Sequence, residues 1–223
     1  MFNVINPIRL FVLSLIFAQT VGAQTTITIL DNEGQPVRNA VLSVKSDKRI
    51  LVPDQIAIMD QIDVEFVPRV LVVQKGQLVS FPNSDDIRHS VYSFSKPKTF
   101  ELKLYKGNQA NPIPFDERGL VILGCNIHDS MIGYVYVADQ ELAYKTDEKG
   151  QVIIELGNSK TVKVWHERST QGVNRRVEYS IDPANESFSL TLDLFPHEDV
   201  FSSYDDSIDH SSHSNYSGFG KKF

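Results

Sequence analysis

Where apolar residues recur regularly in this chain, they recur at every second position. TTITILDNEGQPVRNAVLSVKS (25–46) alternates on either side of a DNEGQP turn, and AYKTDEKGQVIIELGNSKTVKVWHE (143–167) does so around DEKG and GNS turns. No run carries the three-to-four-residue repeat of an amphipathic helix, so the pattern predicts an all-β sandwich protein of short strands and regular turns. The chain has 223 residues, 41% of them hydrophobic and 22% charged, enough for one large or two small packed units. Its net charge of -6 argues against nucleic acid and anionic membrane surfaces as partners.

Residues 1–23 have the layout of a secretory signal peptide: Arg9, the apolar run LFVLSLIFA (10–18), and the small-residue site Val21-Gly22-Ala23. The run is too short to span a bilayer, and no later stretch approaches that length, so no membrane insertion is expected. Cleavage after Ala23 removes Arg9 and no acid, taking the charge from -6 to -7. The expectation is an exported, soluble, periplasmic protein.

Export makes the single cysteine informative. Cys125 cannot pair within its own chain, and a free thiol in an oxidising compartment is open to oxidation or bridging. It is either buried as a small inert hydrophobe or occupied by a metal. In GCNIHDSMIGYVYV (124–137), His128 follows Cys125 by three positions and Met131 follows by three more. Soft sulfur with imidazole favours copper, and two His, one Cys and a weak axial Met form the blue-copper electron-transfer set. Zinc also takes Cys and His, but thioether is a poor ligand for it.

The second histidine must come from elsewhere. Of the six, His197, His210 and His213 lie in a polar tail, and His166 follows Trp165 in a strand-like run away from the sulfur residues. His89, in VSFPNSDDIRHSVYSF (79–94), sits between two strand-like stretches upstream of the cysteine. A satisfied structural histidine is the competing reading of that position.

Taken together, these residues resemble the cupredoxin family of small copper proteins, which includes plastocyanin, pseudoazurin and amicyanin. Asn83 precedes His89, and C-x2-H-x2-M is the short loop form found in amicyanin. VPRVLVVQKGQLVSFPNSD looks like the family's strand, Gly turn and strand leading to the Asn, and GYVYVAD (133–139) looks like its closing strand. The resemblance implies a Greek-key β-sandwich over 49–139 holding one type 1 copper ion. His89, Cys125 and His128 would be the strong ligands and Met131 the long axial one. The backbone N–H of Asn83 would donate to the Cys125 sulfur. Ile127 stands where relatives often carry Pro. By the same resemblance His128 is the expected electron port, with Ile127 and Ile132 as apolar patch residues for a transient redox partner, a cytochrome or periplasmic oxidoreductase.

The flanks, 24–48 and 140–195, resemble the two halves of a carboxypeptidase-regulatory-like, transthyretin-like β-sandwich, so the copper unit is expected to be inserted in it or packed against it. The whole layout also resembles exported bacterial proteins labelled methylamine utilisation proteins. Residues 196–223 are rich in Ser, Asp and His, and this composition predicts disorder. There His197, His210 and His213 offer weak secondary metal binding. No nucleophile–base pair, phosphate-binding loop or paired-carboxylate motif stands out, so the expected function is single-electron transfer and not catalysis. Copper buffering or delivery in the periplasm is the alternative.

Overall fold

The computed structural model of the chain describes residues 24–47, 49–108 and 111–196. The expected signal peptide, 1–23, and the tail residues His197, His210 and His213 therefore lie outside the described residues. Those described form seventeen strands and no α-helix, and no helix long and apolar enough to cross a membrane is present among them.

The first and last strands pair with one another. β1 (Gln24–Leu30) lies between β14 (Gln151–Glu155), antiparallel, and β17 (Ser187–Thr191), parallel. Facing this sheet is a four-stranded one in the order β13 (Glu141–Lys145), β2 (Val41–Lys45), β15 (Thr161–Trp165), β16 (Val177–Ser180). The core between them is built by alternate residues such as Ile27, Ile29, Leu42, Val44, Ile154, Val162 and Val164. Two D-x-x-G turns follow the same local chemistry. Asp31 Oδ1 accepts from Glu33 and Gln35 N–H at 2.9 and 2.8 Å, and Asp147 Oδ1 accepts from Lys149 and Gln151 N–H at 2.9 and 2.8 Å. Gly34 and Gly150 take the positive φ (77° and 68°) that these turns require.

The middle of the chain makes a second set of sheets. Five strands run in the order β6 (Val70–Gln74), β12 (His128–Ala138), β11 (Gly119–Cys125), β8 (His89–Ser95), β9 (Lys98–Tyr105), with β6 and β12 parallel. A short sheet of β10 (Ile113–Pro114), β7 (Leu78–Ser80) and β3 (Ala57–Ile58), with the hairpin of β4 (Asp60–Ile62) and β5 (Glu65–Val67), completes this part. Its core joins Phe66, Phe81, Phe115, Val121, Leu123, Cys125, Met131, Val135 and Val137. Ile113 and Pro114 of β10 pair antiparallel with Val79 and Leu78 of β7.

β12 is buried on both faces. Val135 and Val137 enter the core just described, whereas Tyr134, Tyr136 and Ala138 turn to a third cluster with Val70, Val41 and Trp165. That cluster joins the five-stranded sheet to the four-stranded one. Trp165 lies 5.4 Å from Tyr134 and 6.4 Å from Tyr136, centroid to centroid. Arg69 closes one side by donating from Nε and Nη2 to the Glu167 carboxylate at 2.8–3.0 Å. Burial works to raise the Glu167 carboxyl, but the hydrogen bonds and charge of Arg69 outweigh it and hold the carboxyl below its ordinary range.

Truncating Trp165 to Ala should cost about 3–5 kcal/mol, the usual range for a buried aromatic. Urea unfolding followed by circular dichroism should then change from one transition to two as the sheets uncouple. The neighbouring His166 gives a pH test: burial pushes its pKa down from 6.5 to about 4. The unfolded chain takes up that proton first, so the stability His166 contributes is complete above about pH 6.5 and is lost as pH falls toward 4. Comparing unfolding midpoints at neutral and acidic pH, His166→Asn should flatten the dependence.

Candidate metal centre

Cys125 ends β11 and His128 begins β12, so the expected loop is a two-residue hairpin across Asn126 and Ile127. Pairing slips between Gly124, opposite Ile132, and Cys125, opposite His128. This irregularity leaves 129–131 outside the ladder, with Asp129 and Ser130 exposed and Met131 turned into the core at 1% exposure. Gly124 packs closely under β8: a Cβ there would stand 2.6 Å from the Tyr92 ring, which would have to move to admit it.

His89 opens β8 and is fully buried, Cys125 is 2% exposed, and His128 is half-buried. The ladder from β8 to β9 is also irregular between His89 and Val91. The three side chains converge. His89 Nδ1 lies 3.1 Å from His128 Nδ1, and Cys125 Sγ lies 3.9 Å from the first and 3.8 Å from the second. A triangle with those sides has a point about 2.1 Å from every corner, within the roughly 2.0–2.3 Å that imidazole nitrogen and thiolate sulfur take to a metal such as zinc. The donors therefore fit one transition-metal ion. No other cluster of three His, Cys, Asp or Glu donors suited to an ion occurs among the described residues. Met131 shares the core cluster of Cys125.

The expected role of Asn83 needs correction. Its N–H donates to Gly107 O at 2.9 Å and is not available to sulfur. Its side chain instead ties the loop together, with Nδ2 donating to Ile87 O and Tyr105 O and Oδ1 accepting from Asp85 N–H. The hydroxyl beside sulfur belongs to Ser90, which donates to Cys125 Sγ at 3.7 Å and accepts the Asn126 N–H at 2.9 Å.

Asp85 was also invisible to motif reading: its Oδ2 lies 2.6 Å from His89 Nε2. Burial works to raise its carboxyl, but the N–H groups of Val64 and Asp63 and the His89 ring outweigh this and hold it low. Both residues follow or precede His89 closely, and only the irregular backbone brings them into contact with the site.

No protein-family model matches the chain, and no curated protein does. Among solved structures, it is similar to a reduced amicyanin variant, at 24% identity over 44% of this chain and 98% of that one, with a TM-score of 0.34. It is also similar to a purple cupredoxin from Nitrosopumilus maritimus, at 20% identity over 37% and 99% of the two chains, with a TM-score of 0.34. A copper-containing nitrite reductase from Thermus scotoductus SA-01 is similar at 23% identity over 50% of this chain and 28% of that one, with a TM-score of 0.36.

Ser90→Ala should remove the hydrogen bond to the Asn126 N–H and cost about 0.5–1.5 kcal/mol, the net contribution of a typical hydrogen bond. The midpoint of thermal unfolding, measured on metal-free protein, checks it.

Proposed function

We propose that this chain is a type 1 copper protein that carries single electrons between exported redox partners, built on a cupredoxin unit inserted in a small carboxypeptidase-regulatory-like sandwich. The observation that carries the reading is the donor triangle of His89, Cys125 and His128, with Met131 buried beside it. Two imidazoles, a thiolate and a thioether match the soft, mixed donor set that selects copper over zinc. Bound there, copper would supply a one-electron couple between its cuprous and cupric forms.

The chain's own residues supply the rest. His89, Cys125 and Met131 exclude water by burial, and His128 alone among the donors reaches the surface. Ile127, adjoining it in the hairpin, is 51% exposed, and Ile132 lines a shallow groove with Tyr92, Phe94 and Cys125. These apolar side chains support brief docking of a protein partner against the His128 edge, in the manner of small transient electron-transfer contacts. A cytochrome or periplasmic oxidoreductase presenting positive charge suits the acidic chain. Four protein donors leave no open coordination position for a substrate, which favours a carrier over an enzyme.

Copper buffering or delivery remains the second reading, and it leans on His197, His210 and His213, which lie outside the described residues. One spectrum separates the two. Copper-loaded protein should show an intense visible thiolate band that bleaches reversibly on reduction, disappears in Cys125→Ser and shifts in Met131→Leu. A colourless protein that binds copper only while residues 197–223 are present would overturn the carrier reading.

A further inference from the structure

His89 is fully buried, so its second ring nitrogen must be satisfied by the protein itself. The partner is Asp85, which is held from several sides. Asp63 N–H donates to its Oδ1 at 2.6 Å, Val64 N–H donates to its Oδ2 at 2.9 Å, and its own N–H donates to Asn83 Oδ1 at 3.0 Å. Asp63 and Val64 form the two-residue tip of the β4–β5 hairpin, with φ of 52° and 63°. Two successive positive φ values mark a type I′ turn, for which Asn-Gly is the favoured pair and a β-branched valine is badly suited. Strain of this kind persists where the surroundings enforce it. Here the successive N–H groups of the strained turn converge on one carboxylate.

A carboxylate that accepts from two backbone N–H groups presents lone pairs to the imidazole. The opposite tautomer would set two lone pairs against each other at 2.6 Å. Nε2 therefore bears the proton, and Nδ1 turns its lone pair toward Cys125 and His128.

We propose that Asp85, clamped by the Asp63–Val64 turn, is the positioning residue that keeps His89 protonated at Nε2, aims Nδ1 at the metal, and biases the centre toward the cupric state. The inference rests on the copper reading above. Carboxylate partners of ligating histidines raise ligand basicity, and their loss typically costs 10–100-fold in metal affinity. Asp86 is an internal control: it has the same charge in the same loop, but it is exposed and paired with Lys106.

Three proteins decide the matter: the unmodified chain, Asp85→Asn and Asp86→Asn, each by reduction potential and visible spectrum when copper-loaded. Asp85→Asn should weaken the hold on cupric relative to cuprous ion about tenfold, an upward shift of about 59 mV for one electron. Asp86→Asn should leave potential and spectrum unchanged. Nitrogen-15 NMR of the metal-free unmodified chain should place the His89 proton on Nε2, with slow exchange. An unchanged potential in Asp85→Asn, equal shifts in both variants, or a metal-free His89 protonated on Nδ1 would overturn the proposal. If Asp85→Asn does not fold, the NMR result on the unmodified chain still decides. A protein without any thiolate–copper band would instead overturn the copper reading, and the same NMR measurement would still judge the clamp.

Discussion

One strand with two buried faces holds this molecule together. β12 sends Val135 and Val137 into the core that contains Cys125 and Met131, and Tyr134, Tyr136 and Ala138 into the cluster around Trp165. Each such side chain removed from water contributes on the order of 1.5–3 kcal/mol, so β12 cannot slide without exposing residues on both sides. A one-residue slip would exchange the two faces and put tyrosines where valines now pack. His128 is the first residue of this strand. The position of the donor triangle is therefore fixed by packing between the sheets and by the hairpin that carries it.

Within that frame, the site occupies the places where the regular ladder breaks. Pairing slips beside Cys125 and again beside His89, and the β4–β5 turn adopts left-handed φ at two non-glycine residues. A continuous ladder would spread side chains evenly over two faces at strand spacing, too far apart to share one ion. Irregular backbone lets Cys125, His128, Met131, His89 and Ser90 approach from three strands, β11, β12 and β8. Left-handed conformations at residues such as Val64 cost about 1–3 kcal/mol each. The hydrogen bonds to Asp85 offset part of that cost, since bonds to a charged acceptor are worth about 1.5–3 kcal/mol.

The regular parts of this architecture were legible in the sequence. Alternation and D-x-x-G turns placed β1, β2, β14 and β15, because a polar turn with glycine at positive φ leaves a local signature. His89, Cys125, His128 and Met131 stood out because donor chemistry narrows the choice to few residues. Asn83 was assigned to sulfur wrongly: which N–H reaches Sγ depends on the chain path, and the bridge to Gly107 is a non-local pairing. Ser90 and Asp85 carried no signal, since a serine and an aspartate near a histidine are unremarkable until the backbone folds them against it. The Asp63–Val64 turn lacked the Asn-Gly pair that announces a type I′ hairpin. GYVYVA read as a closing strand, but a continuous apolar run does not say which neighbour covers each face.

The donors also differ in how they are secured, and that difference bears on what the site can do. His89 is gripped through Asp85, and Cys125 through Ser90, whose hydroxyl is anchored by the Asn126 N–H. Both are buried on short side chains from strand positions, so few torsions separate each donor from a fixed backbone. His128 sits at the opposite extreme, half-exposed at the edge of a two-residue hairpin. A site made to release its ion would place lability at several donors. A site made to keep its ion through changes of charge gains from rigid donors, because the less the ligands rearrange, the smaller the barrier to moving an electron. The hydrogen-bonded anchoring of His89 and Cys125, beside a half-exposed His128, is what the proposed electron carrier would need.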